Sequence, residues 1–161
     1  LLPLLVPVME LIKGGDLADK LLKQESGRLE ESEAKAFFVQ IAEGLQYIHS
    51  KGIVHRDLKP DNILVDELDQ VRISDFGHSR LVDGVGSANE RVGTILYMSP
   101  EALDPQRAVE GFEHATDLWS FGVILYLMLV GNTPFGGMNL EEEIQQASYT
   151  FATLTPNSYV P

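Results

Sequence analysis

The chain has 161 residues, with 12 Lys and Arg against 24 Asp and Glu and a formal net charge of −12. A phosphate backbone repels so acidic a chain, which excludes nucleic acid as a partner, and the lack of cysteine excludes a disulfide framework and thiolate metal sites. A hydrophobic fraction of 44% with 22% charged residues is a globular composition, and the length suits one domain or part of a larger one.

The apolar opening from Leu1 to Ile12 is broken by Pro3, Pro7 and Glu10 and lacks the basic flank and cleavage site of a signal peptide. Its start at Leu1, inside an apolar run, reads as a piece of a longer protein. Within it, residues 4–12 predict a strand that stops at Gly14-Gly15. Asp16 is placed to cap a short helix through Lys23. Ala34, Phe37, Phe38, Ile41, Leu45 and Ile48 recur at steps of three and four, the stripe of an amphipathic helix, and Gly52 follows as a left-handed stop. Ile53-Val54, Ile63 to Val65 and Val71 to Ile73 are strand-like, the last two joined by a polar turn over 66–70. Residues 78–98 read as a long loop. The run Leu118 to Val130 falls short of the roughly 20 residues that span a bilayer. Apolar on every side, it predicts a fully buried helix closed by Gly131, lying beside the helix 37–48. A short helix over 140–147 completes the order, and neither a repeat nor a membrane segment is expected.

Chemistry concentrates in His55-Arg56-Asp57-Leu58-Lys59-Pro60-Asp61-Asn62, a polar loop between two strand-like runs, and in Asp75-Phe76-Gly77 after the next one. Together they resemble the catalytic loop and metal-binding motif of eukaryotic protein kinases, the family that supplies the general template for phosphoryl transfer used below. The resemblance continues through Gly93-Thr94, Tyr97, Ser99-Pro100-Glu101, Asp117 to Gly122 and Pro134-Phe135, and covers nearly the whole chain from Val8. It implies an α+β fold: the mainly helical large lobe of a kinase with short strands, the small β-lobe being absent. The partial domain would run over 1–161, with its catalytic loop at 55–62, activation segment at 75–101 and buried helix at 117–130.

By that resemblance, Asp57 accepts the proton of the substrate hydroxyl and Lys59 neutralises charge on the transferring group, Lys here being similar to Ser/Thr rather than Tyr kinases. Asn62 and Asp75 are hard oxygen ligands suited to Mg²⁺, and Gly77 frees the backbone after Asp75. For ATP, Met9 takes the gatekeeper position, Glu10 and Ile12 the adenine contacts, Asp16 the ribose and Leu64 the apolar floor. Taken alone, Asp16 is equally a helix cap and Leu64 ordinary core. Asp16 and Asp61 match positions that select an Arg three residues before a Ser or Thr acceptor in protein substrates, by charge-assisted bonds. Thr94 is assigned to the regulated segment, and Glu90 falls where relatives carry a phosphorylatable Thr, which suggests a partial phosphate mimic paired with Arg56; a solvated Glu is the equal alternative. Asp117 should accept bonds from the catalytic-loop backbone, Glu101 lacks its usual Arg partner, and Tyr97 and Trp119 are read as packing.

Asp75 to Arg80 further resembles the checkpoint-kinase branch of the calcium/calmodulin-kinase-like group, whose full-length members carry a forkhead-associated domain. Gly84-Val85-Gly86 opens no helix and is no phosphate loop. The glycine-rich loop, strand Lys and helix Glu of the family do not occur, so the fragment alone is expected to be inactive. Two classes stay open, a Ser/Thr kinase seen through most of its large lobe and a non-catalytic binding or pseudokinase module. An aminoglycoside-type kinase is the weaker third. The family places the protein in the nucleus or cytoplasm.

Overall fold

The computed structural model describes residues 6, 8–82, 91–107 and 113–149. Helix α1, Leu17–Leu22, begins where the Asp16 carboxylate accepts the Asp19 N–H at 2.7 Å, as the cap expectation required. Helix α2, Glu31–Ser50, buries the stripe Ala34, Phe37, Ile41, Leu45 and Ile48, and Gly52 beyond it has φ +69°. Strand β1, Ile53–Val54, leads into the polar loop. Strands β2, Ile63–Val65, and β3, Val71–Ile73, form an antiparallel hairpin in which Ile63 faces Ile73 and Val65 faces Val71.

At residues 80–82 the expected loop holds regular structure. Strand β4, Arg80–Leu81, pairs antiparallel with β1, and the Val82 N–H donates to the Gly52 carbonyl at 2.8 Å. A two-residue strand carries no periodicity of its own, and only its partner reveals it. Residues 83–90 lie outside the described residues.

Helix α3, Pro100–Leu103, is capped by Ser99. Helix α4, Ala115–Val130, ends at Gly131 with φ +86°, where an added Cβ would meet the Ser26 carbonyl oxygen at 2.9 Å. Helix α5 is Leu140–Gln145. Helices α2 and α4 pack as the sequence implied, with the rings of Phe38 and Phe121 stacked 4.2 Å apart.

Two expectations need correction. Residues 8–12 form no strand, and Val6 and residues 8–11 are exposed with no hydrogen-bonded strand beside them among the described residues; an unpaired strand has no ladder to hold it. Helix α4 is not buried on every side. Phe121, Ile124 and Met128 are enclosed but Leu118 is 55% exposed, because α2 and the Met98–Phe135 cluster cover part of its circumference. Uniform apolarity cannot say which side is covered. The larger core cluster joins α1, α2, β2 and one side of α4. The smaller one, Met98, Leu103, Val123, Phe135 and Ile144, fills the space between α3, α4 and α5.

Candidate active site

The polar loop after β1 is held from below. The fully buried Asp117 of α4 accepts the backbone N–H groups of His55 and Arg56, each at 2.8 Å, and the His49 ring Nε2 at 2.8 Å. A buried carboxylate costs dearly unless donors surround it, and here three do. Arg56 sits at φ +66°, a left-handed conformation that its two anchored neighbours fix, and its Nε donates to the His78 carbonyl.

Above this floor, donors converge on Asp57. The Thr94 N–H and hydroxyl donate to Oδ1 at 3.0 and 3.2 Å, and Lys59 Nζ and Asn62 Nδ2 donate to Oδ2 at 3.0 and 3.3 Å. Lys59 also donates to the Thr94 hydroxyl at 3.0 Å, closing a triangle of Asp57, Lys59 and Thr94. Burial works to raise the Asp57 carboxyl, but the Lys59 ammonium and the two Thr94 donors outweigh it and hold the group below its ordinary value of 3.8. Asp57 therefore stands as a carboxylate at neutral pH.

Gly93 makes the approach of Thr94 possible. At φ +104° an added Cβ would lie 2.7 Å from the Arg56 carbonyl oxygen and 3.3 Å from Asp57 Oδ1.

Asp75 comes to the same neighbourhood through Ser74. The Ser74 N–H donates to the Asn62 carbonyl at 2.8 Å, and the His55 ring Nε2 bonds the Ser74 carbonyl at 2.8 Å. Asp75 itself is left-handed at φ +58°, with Oδ1 accepting the Gly77 N–H; Phe76 meets the His55 ring edge-on at 5.0 Å. The Asn62 amide nitrogen is engaged by the Asp57 carbonyl at 2.8 Å, which leaves its oxygen unclaimed among the described residues. One amide oxygen and one exposed carboxylate are a fitting donor pair for magnesium, which completes its shell with water and nucleotide phosphates. A cluster of three His, Cys, Asp or Glu side chains able to hold a metal alone does not occur among the described residues.

The expected nucleotide residues are placed less uniformly. An isolated antiparallel bridge joins Asp16 to Leu64, and the Val65 N–H donates to the Gly15 carbonyl, so the ribose and floor positions adjoin. The Asp16 carboxylate is at the same time the α1 cap. Ile12 is half-buried, Glu10 is exposed and Met9 is 83% exposed. Asp61 is exposed on the turn 60–62, against which α1 packs. Glu101 is half-buried in the first turn of α3, with no hydrogen bond or ion pair among the described residues. Glu90, and with it the pairing to Arg56, lies outside the described residues.

Sequence reasoning missed His49 and Ser74. A His in the last turn of α2, next to a loop rich in backbone donors, was the available signal for the first. Ser74 differs from ordinary turn chemistry only in three dimensions.

Residues 4–159 match the protein-family model described as "Protein kinase domain". The chain is 45% identical over 135 residues to the CBL-interacting serine/threonine-protein kinase 8 of Arabidopsis thaliana, covering 83% of this chain and 29% of that protein. Two rice (Oryza sativa subsp. japonica) proteins are similar: CBL-interacting protein kinase 24 at 45% identity, covering 80% of this chain and 27% of the relative, and CBL-interacting protein kinase 8 at 40%, covering 93% and 33%. The chain thus spans about three tenths of the length of these relatives. None of the three is a checkpoint kinase, so the narrower branch suggested by Asp75 to Arg80 gains no support.

Proposed function

We propose, from the premise that the chain belongs to the protein kinase domain family, that the protein transfers the γ-phosphoryl group of ATP to serine and threonine hydroxyls of protein substrates. The observation that carries this reading is the convergence of Lys59, Thr94 and Asn62 on one ionised carboxylate, Asp57. A scaffold has no physical need for such an arrangement.

Asp57 orients the substrate hydroxyl and takes its proton as the new O–P bond forms. The longest of its four bonds, from Asn62 at 3.3 Å and the Thr94 hydroxyl at 3.2 Å, are the ones an entering hydroxyl exchanges with. Lys59 places a positive charge beside the transferring group, and Thr94 fixes the ammonium there. Asn62 and Asp75 would hold magnesium, which when bound neutralises phosphate charge. Asp16 and Leu64 would meet ribose and base.

The preferred substrate carries an Arg three residues before the acceptor, drawn by the exposed Asp61 and by Asp16 on the adjoining helix cap. In the isolated 161 residues Val8, Met9 and Leu11 are 94%, 83% and 78% exposed, which supports a base held from one side only and a chain inactive by itself.

The test is phosphotransfer by the complete protein, with ATP and magnesium, to matched peptides bearing Ser, Thr or Tyr and Arg or Ala three residues before it. Transfer to Ser and Thr but not Tyr is expected, with kcat/KM lowered about tenfold or more by the Arg-to-Ala change, the loss of a charge-assisted contact. Absence of transfer to every peptide would instead support the non-catalytic binding module.

A further inference from the structure

Beneath the catalytic loop lies a pair of histidines that phosphoryl transfer does not use directly. His49, in the last turn of α2, bonds Asp117 Oδ2 through its Nε2 at 2.8 Å, and the ring of His114, the residue that precedes α4, lies against it with centroids 4.4 Å apart and planes at 53°. The His114 Nε2 is enclosed and has no hydrogen-bond partner. Asp117 is the carboxylate that fixes the backbone of His55 and Arg56, directly before Asp57.

We propose that His114 is a positioning residue: laid against His49, it lets Asp117 hold the catalytic loop only while at most one of the two rings carries a proton. This inference rests on the kinase reading above for its activity readout, but not for its stability readout.

The His49 Nε2–H points at the Asp117 carboxylate. Neutral or charged, that ring remains a donor to Asp117. A second proton places two like charges on tilted rings with centroids 4.4 Å apart in a partly buried site, one of them at an enclosed nitrogen with no acceptor. Relief comes from separating the rings. His114 is three residues before Asp117 on the same chain, so separation moves the carboxylate that anchors the loop.

The surrounding charges leave this logic intact. From α4 the facing group is Asp117, already saturated by three donors. In the segment before α4, Glu113 adjoins His114 in sequence and its Oε2 is enclosed. From the catalytic loop, His55 and Arg56 present backbone N–H groups, their side chains turning to the Ser74 and His78 carbonyls. On α2's C-terminal side, Lys51 lies over the Tyr47 ring. Arg80 is on β4, one strand further out than β1, which itself packs on α2.

The experiment compares the complete protein with His114→Phe and His114→Gln, which keep bulk at the site but take up no proton, and with His114→Arg. Both kcat and the thermal midpoint are followed from about pH 7.5 to 5.5, the range in which imidazole titrates. For the wild type, kcat is expected to fall roughly tenfold per pH unit at the acid end with little change in KM, as loss of one proton-sensitive state requires, and the thermal midpoint to drop alongside it. In the Phe and Gln variants both acid limbs flatten, and the Arg variant stays low throughout. Wild-type and neutral-variant curves that superimpose, in kcat or in thermal midpoint, overturn the proposal. If no variant and no wild type transfers phosphate, the kinase reading fails while the thermal midpoints still decide this one.

Discussion

Four donors on the Asp57 carboxylate have a measurable consequence in acid. Because its carboxyl lies below the ordinary value of 3.8, the folded state favours the ionised form. The stability this contributes is present above 3.8 and disappears as pH falls through the lower folded value. Urea unfolding at about pH 7 should show Asp57→Asn less stable than wild type, with the gap closing as pH falls from 3.8 through the lower folded value and the carboxylate is protonated in both folded and unfolded chains. Tyr97 shows the opposite case. Burial first, and the Asp61 charge second, push its hydroxyl from 10.0 up to about 12. It contributes stability fully below 10.0 and loses it as pH rises towards about 12. In an alkaline absorbance titration one of the five tyrosines should ionise last, and Asp61→Asn should move it earlier. At this scale the sequence was readable where the site is contiguous. Asp57, Lys59 and Asn62 lie within six residues, and their types name their chemistry. Thr94 was visible only as a motif position, since nothing local says that it lies 3.0 Å from residues 35 and 37 positions earlier.

Gly93 is where a single atom governs how two segments meet. Gly93→Ala forces a side chain into the left-handed region and a Cβ to within 2.7 Å of the Arg56 carbonyl. It should cost about 1–3 kcal/mol of stability by chemical unfolding and lower kcat more than KM, because Thr94 is displaced from Asp57. Helix α2 offers the packing counterpart. Phe37 is 1% exposed and Val39, two residues on, is 46% exposed. Phe37→Ala should lower unfolding free energy by about 3–5 kcal/mol, whereas Val39→Ala should change it by less than about 0.5 kcal/mol, both measured from urea midpoints. The long elements were legible because a 3.6-residue stripe over 20 residues is hard to produce otherwise. The short strand β4 and the absent strand at 8–12 were not, since both depend on whether a partner lies alongside, and a local pattern holds no such information.

Across the whole molecule, α4 is the common wall of both apolar clusters, and its first turn carries the carboxylate that fixes the catalytic loop. Core and site are therefore mechanically one unit, and Ile124→Ala, at 0% exposure, should cost about 2–5 kcal/mol and broaden the activity loss on heating. The net charge of −12 acts at longer range. On the substrate preference proposed above, it should raise the capture rate of Arg-bearing peptides, and raising salt from about 0.05 to 0.5 M should increase their KM severalfold while leaving a neutral peptide's KM nearly unchanged, since the screening length shrinks below the distances involved. No helix among the described residues is long and apolar enough to cross a membrane. The central claim is that Asp57 aims an alcohol at a phosphoryl group. Its most direct test is the single-turnover rate of transfer from ATP to a serine peptide by the complete protein and by its Asp57→Asn variant, with peptide affinity measured in parallel. A fall of about 10²–10⁴-fold in rate with peptide affinity retained is the predicted result. An unchanged rate would contradict it.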